Sequence, residues 1–162
     1  MAVRMELSRI LIRELNDFQL IELREVLDED GGGRAIRDAK PDEVEEILGG
    51  DNAVLGRSFP IVIGLPEAQA IERRLGNVPV KRPQTHDLLA NVIEELGGRL
   101  ESVTVTDLKE GTFFATLDIV TAQGESIHVD SRPSDAIALG IAGNVPVYVE
   151  EHVLESALED QS

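Results

Sequence analysis

The stretch "LESVTVTDLKEGTFFATLDIVTAQGESIHVD", residues 100–130, decides the fold. Val103 and Val105 alternate with threonines, and Phe113, Ala115, Leu117 and Ile119 alternate with Phe114, Thr116 and Asp118. A period of two places successive side chains on opposite faces of a strand. Lys109-Glu110-Gly111 reads as a hairpin turn, Gln123-Gly124 as a second turn, and "SIHVD" as a third strand. Three strands joined by short turns make an antiparallel β-meander.

Upstream, Met5 to Leu15 and Phe18 to Leu27 read as two strands, with Asn16-Asp17 as the turn between them. The glycine-rich "DEDGGGR" follows, then "KPDEVEEILGG", a short helix with Pro41 at its first position and Gly49 at its end. Residues 31–56 are expected to form a surface insertion between strands. "SFPIVIG" is a buried strand. "LPEAQAIERRL" is a helix opened by Pro66, with Ala68, Ile71 and Leu75 at 3–4 spacing. Thr85 is placed to cap the next helix, where Leu88, Leu89, Val92, Ile93 and Leu96 form an apolar stripe; Gly97-Gly98 ends it. Downstream of the meander come the helix "PSDAIALGIAG", the strand "VPVYVEE" and a last helix through Leu158. The pattern predicts an α+β fold. It is a compact single domain over residues 1–158, mainly an antiparallel sheet with a β-meander and several packed helices, and residues 159–162 are a short acidic tail.

Composition narrows the function. The 162 residues are long enough to bury a core, and 42% of them are hydrophobic but only 3% aromatic, so that core rests on Val, Ile, Leu and Ala. The formal charge is −16, from 15 basic and 31 acidic residues. Such a field opposes nonspecific coating of nucleic acid, which needs clustered Lys and Arg, but it leaves room for a small local basic site. The chain has no cysteine, which rules out disulfides and thiolate metal sites. No leader pattern is legible at the N-terminus, and no segment reaches the roughly 18 apolar residues of a membrane span. A cytoplasmic protein without a membrane partner is expected, and no organic cofactor.

Two short stretches carry the chemistry. "KRPQTHDLL" and "DSRPSDAIAL" each write arginine-proline, a hydroxyl, an aspartate and then a helix. Capping alone accounts for Thr85, Asp87, Ser131 and Asp135, because an acid in the first turn complements the helix dipole by about 0.3–1 kcal/mol. Capping does not account for Arg82 and Arg132, which sit where that dipole opposes a cation. A helix start with an arginine beside it suits a phosphate, through free N–H groups and the guanidinium. The aspartates then either pair with the arginines or hold a divalent cation. His86, next to Asp87, is the histidine best placed to orient or activate a water. His128 and Asp130 are two apart on one strand and face one side, and His152 shows no partner.

"PIVIGLPEAQAIE", "RPQTHDLL", "LKEGTFFATL", "DSRPSDAIAL" and "VPVYVEE", in this order, resemble the bifunctional nuclease family. The resemblance covers roughly residues 58–153. It implies a compact α+β domain that often self-associates and an activity cleaving both DNA and RNA. It carries signature polar positions to Arg82, Thr85, His86, Asp87, Asp130, Ser131, Arg132, Ser134 and Asp135. The resulting expectation gives Arg82 and Arg132 the phosphate and its developing charge, and makes His86 the base or acid. Asp87, Asp130 and Asp135 are expected to hold Mg2+ or Mn2+, and Thr85, Ser131 and Ser134 to orient phosphate or water. Nucleic acid is expected as a substrate and not as a tightly bound partner. Phe113-Phe114, apolar on both strand faces, points to a homo-oligomer, most simply a dimer. The rival reading is a non-catalytic interaction or regulatory module whose arginines and aspartates form an internal ion-pair network.

Overall fold

The computed structural model describes residues 1–13, 18–26 and 56–161. The Asn16-Asp17 turn, the helix at residues 40–50 and nearly all of the 31–56 insertion lie outside them. The described elements, in chain order, are β1 (Ala2–Leu11), β2 (Gln19–Glu25), β3 (Ser58–Ile63), α1 (Leu65–Leu75), α2 (Thr85–Glu95), β4 (Arg99–Lys109), β5 (Thr112–Val120), β6 (Ser126–Ser131), α3 (Pro133–Gly140), β7 (Val147–Glu150) and α4 (Glu151–Glu159). A single 3-10 turn, Ile141–Gly143, links α3 to β7. Among the described residues no helix is long and apolar enough to cross a membrane.

The strands form one sheet in the order β3-β2-β1-β7-β4-β5-β6. Every pairing is antiparallel except β4 with β7, so the α+β reading holds with one parallel step. The step arises because the chain leaves β6, crosses the sheet through α3, and inserts β7 between β1 and β4. The β4–β5 turn is formed by Glu110 and Gly111, both left-handed at φ 50° and 78°. Two left-handed residues match the twist of the flanking strands, and glycine adopts that conformation at no steric cost.

One sheet face is apolar. Ile21, Leu23, Phe59, Ile61, Val103, Val105, Ala115, Leu117 and Val149 are buried on it. Against them pack Ala68 and Ile71 of α1, Ala136, Ile137 and Leu139 of α3, and Val153 and Leu154 of α4. Phe59 stacks on Phe113 at 5.5 Å between ring centroids. Arg57 ties the edge together. It grips the Glu25 carboxylate through Nε (2.9 Å) and Nη2 (3.0 Å), and reaches Glu151 at the start of α4 through Nη1 (2.6 Å).

α2 departs from the sequence reading. Its apolar stripe is largely uncovered: Leu88, Leu89, Val92 and Leu96 are 55, 40, 43 and 77% exposed. Only Ala90 and Ile93 pack on the core. Gly97, at φ +82°, ends the helix, and a β-carbon there would sit 2.8 Å from that of Ala122. Gln84, not Thr85, is the N-cap, and Thr85 is the first helical residue.

Phe59→Ala should cost about 3–5 kcal/mol, because it opens a cavity under β3. Val62→Ala, at a position 59% exposed on the same strand, should change stability by less than about 0.5 kcal/mol. Urea midpoints at constant m-value measure both.

Candidate active site

Two helix starts meet. α2 begins after Gln84 and α3 after Arg132, whose ψ of 145° keeps it extended before Pro133 fixes the first turn. Across the junction His86 Nε2 lies 2.9 Å from Asp135 Oδ1. Arg132 Nε donates to Asp135 Oδ2 at 2.9 Å, and its Nη2 donates to Glu67 Oε1 at 3.1 Å. The ionic chain Glu67–Arg132–Asp135–His86 thus links the first turns of α1, α3 and α2.

The chain lines a cavity of about 970 Å3, walled also by Arg73, Thr85, Phe114, Val129, Asp130 and Ser131. His86 is recessed at 14% side-chain exposure, Asp135 is at 29%, and Arg132 stands at the mouth at 65%. The Asp135 carboxylate, ahead of Glu67, pushes the Arg132 pKa upward against burial, so the guanidinium keeps its charge. Asp135 Oδ1 can accept from an Nε2–H, and that tautomer of His86 leaves a lone pair on Nδ1. Arg132 has Nε and Nη2 engaged and offers its Nη1 end to an anion.

Several expected site residues lie elsewhere. Arg82 is exposed and does not line the cavity, so of the two Arg-Pro segments one brings its arginine and the other its histidine. Asp87 binds Arg73 Nη1 through Oδ2 at 2.9 Å, Arg74 through Oδ1, and the Gln84 backbone N–H at 3.0 Å. Its lone pairs are consumed in the internal network that formed the rival reading. Ser134 is buried at 5% exposure and does not line the cavity, and Ser131 Oγ donates to the Arg132 carbonyl at 2.9 Å. The metal expectation does not fit this arrangement. Among the described residues no group of three or more His, Asp or Glu side chains is placed to hold a cation, and Asp87, Asp130 and Asp135 do not gather into one.

Some residues went unread in the sequence. Glu67, Arg73 and Arg74 sit in α1, where the sequence reading used only the apolar positions and Pro66. Arg73 Nη2 is buried without a protein hydrogen-bond partner, although Nη1 of the same guanidinium binds Asp87. Asp118 is a hub on the polar sheet face. It accepts Ser102 Oγ (2.7 Å), Thr104 Oγ1 (2.6 Å) and Thr116 Oγ1 (2.9 Å), and it meets His128 Nδ1 at 2.7 Å. Burial opposes its charge, but these partners outweigh burial and hold its pKa below the usual carboxylate range. His128 is therefore paired across strands with Asp118, not along its own strand with Asp130. His152 Nε2 approaches Asp107 at 3.9 Å.

Fold and cavity together define an α+β domain with a histidine–aspartate–arginine pocket at two converging helix starts. The chain belongs to the bifunctional nuclease domain family, which matches residues 47–162. It is similar to the uncharacterized protein Rv1829 of Mycobacterium tuberculosis (strain ATCC 25618 / H37Rv), at 45% identity over 101 residues, 62% of this chain and 59% of that protein. It is also similar to Bifunctional nuclease 2 of Arabidopsis thaliana, at 25% identity over 103 residues, 62% of this chain and 31% of that protein. Bifunctional nuclease 1 of Oryza sativa subsp. japonica is 23% identical over 97 residues, 59% of this chain and 29% of that protein. The matched region thus spans less than two thirds of each of these relatives.

Burial raises the Asp87 pKa, but the Gln84 N–H, Arg74 and Arg73 together lower it on balance. A depressed folded-state pKa contributes stability above the unfolded value near about 3.9, and that stability is lost as pH falls through the folded value. Asp87→Asn should cost on the order of 3 kcal/mol at neutral pH. The gap between the two proteins should close in acid, below about pH 4, as read from melting temperature against pH.

Proposed function

We propose that the cavity hydrolyses phosphodiester bonds of DNA and RNA. The observation that carries this reading is the convergence of His86, Asp135 and Arg132 in one accessible pocket, with His86 and Asp135 49 residues apart in sequence. Family membership and the names of the plant relatives support it.

The chemistry follows from the geometry. Arg132 takes the non-bridging phosphate oxygens on its Nη1 end and stabilises the charge that grows on them. His86 Nδ1 accepts a proton from the attacking water as the water oxygen bonds to phosphorus. Asp135 holds the Nε2–H and stabilises the imidazolium. The bond to the leaving oxygen breaks, and His86 returns the proton to it. No step is routed through Mg2+ or Mn2+, because the three carboxylates expected to hold it are apart. With a net charge of −16 the protein does not hold polyanions tightly, so nucleic acid is a transient substrate.

The non-catalytic reading keeps one observation in its favour, the saturation of Asp87 by Arg73 and Arg74. Paired assays separate the two. On highly purified protein with a metal series, His86→Ala, Arg132→Ala and Asp135→Asn should each lower cleavage of single-stranded and duplex substrates by about 100-fold or more. Melting temperatures should stay within about 4 °C of the parent. Equal cleavage by all three variants would point to a contaminating nuclease and favour the interaction module. Loss of stability in step with loss of cleavage in Asp135→Asn would make Asp135 structural.

A further inference from the structure

We propose that a second copy of this chain pairs antiparallel along the free edge of β6, about a two-fold axis at Val129, and delivers its His128 to Asp130 at the mouth of the cavity. Among the described residues β6 bonds only to β5, in unbroken register from Ser126 to Ser131. The opposite edge of the sheet carries Pro60 in β3, which cannot donate to an added strand. "SIHVDS" carries no proline, lysine or bulge, the devices that blunt an edge, and residues 126–130 are exposed throughout. Ile127 and Val129 are 39 and 42% exposed on the face that the helices cover.

Self-complementarity selects the occupant. Opposite residues in an antiparallel pair share a face, so odd positions must meet odd ones. With Val129 against Val129 on the axis, His128 stands opposite the partner subunit's Asp130, and Asp130 opposite the partner subunit's His128. These are two reciprocal donor–acceptor contacts, an imidazole N–H against a carboxylate. The neighbouring register, with His128 on the axis, sets imidazole against imidazole and Asp130 against serine. His128 Nδ1 is held by Asp118 at 2.7 Å, which leaves Nε2 for the second carboxylate. Continuity supports the same surface. Leu89 and Val129 line one cavity, and the uncovered α2 stripe of Leu88, Leu89 and Val92 runs on from it. A partner at the β6 edge extends both the sheet and this apolar layer. The pairing stands whether or not the cavity is hydrolytic.

The test uses the full chain. Sedimentation velocity at micromolar concentration should show a dimer. Val129→Lys places like charges on the axis and should weaken dimerisation at least tenfold. Its melting temperature measured at dilutions where the parent is monomeric should match the parent, because Val129 is exposed. The chain lacks cysteine, so Val129→Cys should cross-link to itself under mild oxidation, whereas His128→Cys should not. Cross-linking through His128→Cys instead would overturn the register and with it the delivery of His128. A monomeric parent, or a dimer indifferent to Val129→Lys, would overturn the surface.

Discussion

One guanidinium joins the three helices that make the pocket. Arg74, at 10% side-chain exposure, donates through Nε to the Ala138 carbonyl at 2.6 Å and through Nη2 to Leu139 at 3.0 Å, while Nη1 binds Asp87. The last carbonyls of any helix lack intrahelical donors. In α3 they are also buried, so water is a poor substitute and α1 supplies the donor. The same side chain then fixes the start of α2 through Asp87. Removing it would strand two buried carbonyls and take from Asp87 one of its two arginines, leaving Arg73 and the Gln84 N–H; stranding one partner of a buried pair costs on the order of 3–5 kcal/mol.

This constraint divides the acids of the two Arg-Pro segments. Asp87 faces inward, meets two arginines and a backbone N–H, and serves position. Asp135 faces the cavity, shares itself between Arg132 and His86, and stays within reach of solvent. Of the two aspartates, one is therefore tied into the internal ion-pair network and the other is left at the cavity. The Asp87 pairs lie deeper, at 10–17% side-chain exposure, and the Asp135–Arg132 pair lies shallower, at 29 and 65%.

The meander was legible in the sequence because its signals are local. Alternation in residues 103–119 sets the faces, and Lys109-Glu110-Gly111 marks the hairpin turn, where Gly111 adopts the left-handed region at no steric cost. The ends of α1 and α3 were legible from Pro66 and Pro133 for the same reason. What the sequence could not reveal depends on distant partners. A leucine stripe at 3–4 spacing looks the same whether it meets a core or solvent, so the exposure of α2 was hidden. Arg73 and Arg74 drew no reading because their partners lie 13 and more residues away. The echo of Arg-Pro suggested one site from two segments. It did not reveal that Arg82 stays outside while His86 enters. Asp118 was passed over as a polar position in a strand, since its hydroxyl and imidazole partners come from three strands.

The position of β7 has a consequence for how the molecule is assembled. Strands β3-β2-β1 form one patch and β4-β5-β6 another, and β7 alone stitches them, antiparallel to β1 and parallel to β4. The β4-β5-β6 patch is joined by short turns and can close early, since short loops cost little entropy, whereas β2 and β3 are farther apart, at residues 19–25 and 58–63. The seam closes only when residues 147–150, the last strand in chain order, arrive between Met5 on one side and Val103 on the other. Until then β1 and β4 each present an open inner edge during synthesis. The molecule therefore reaches its native topology through a late, long-range step, the kind that slows folding and exposes nascent chains to mispairing.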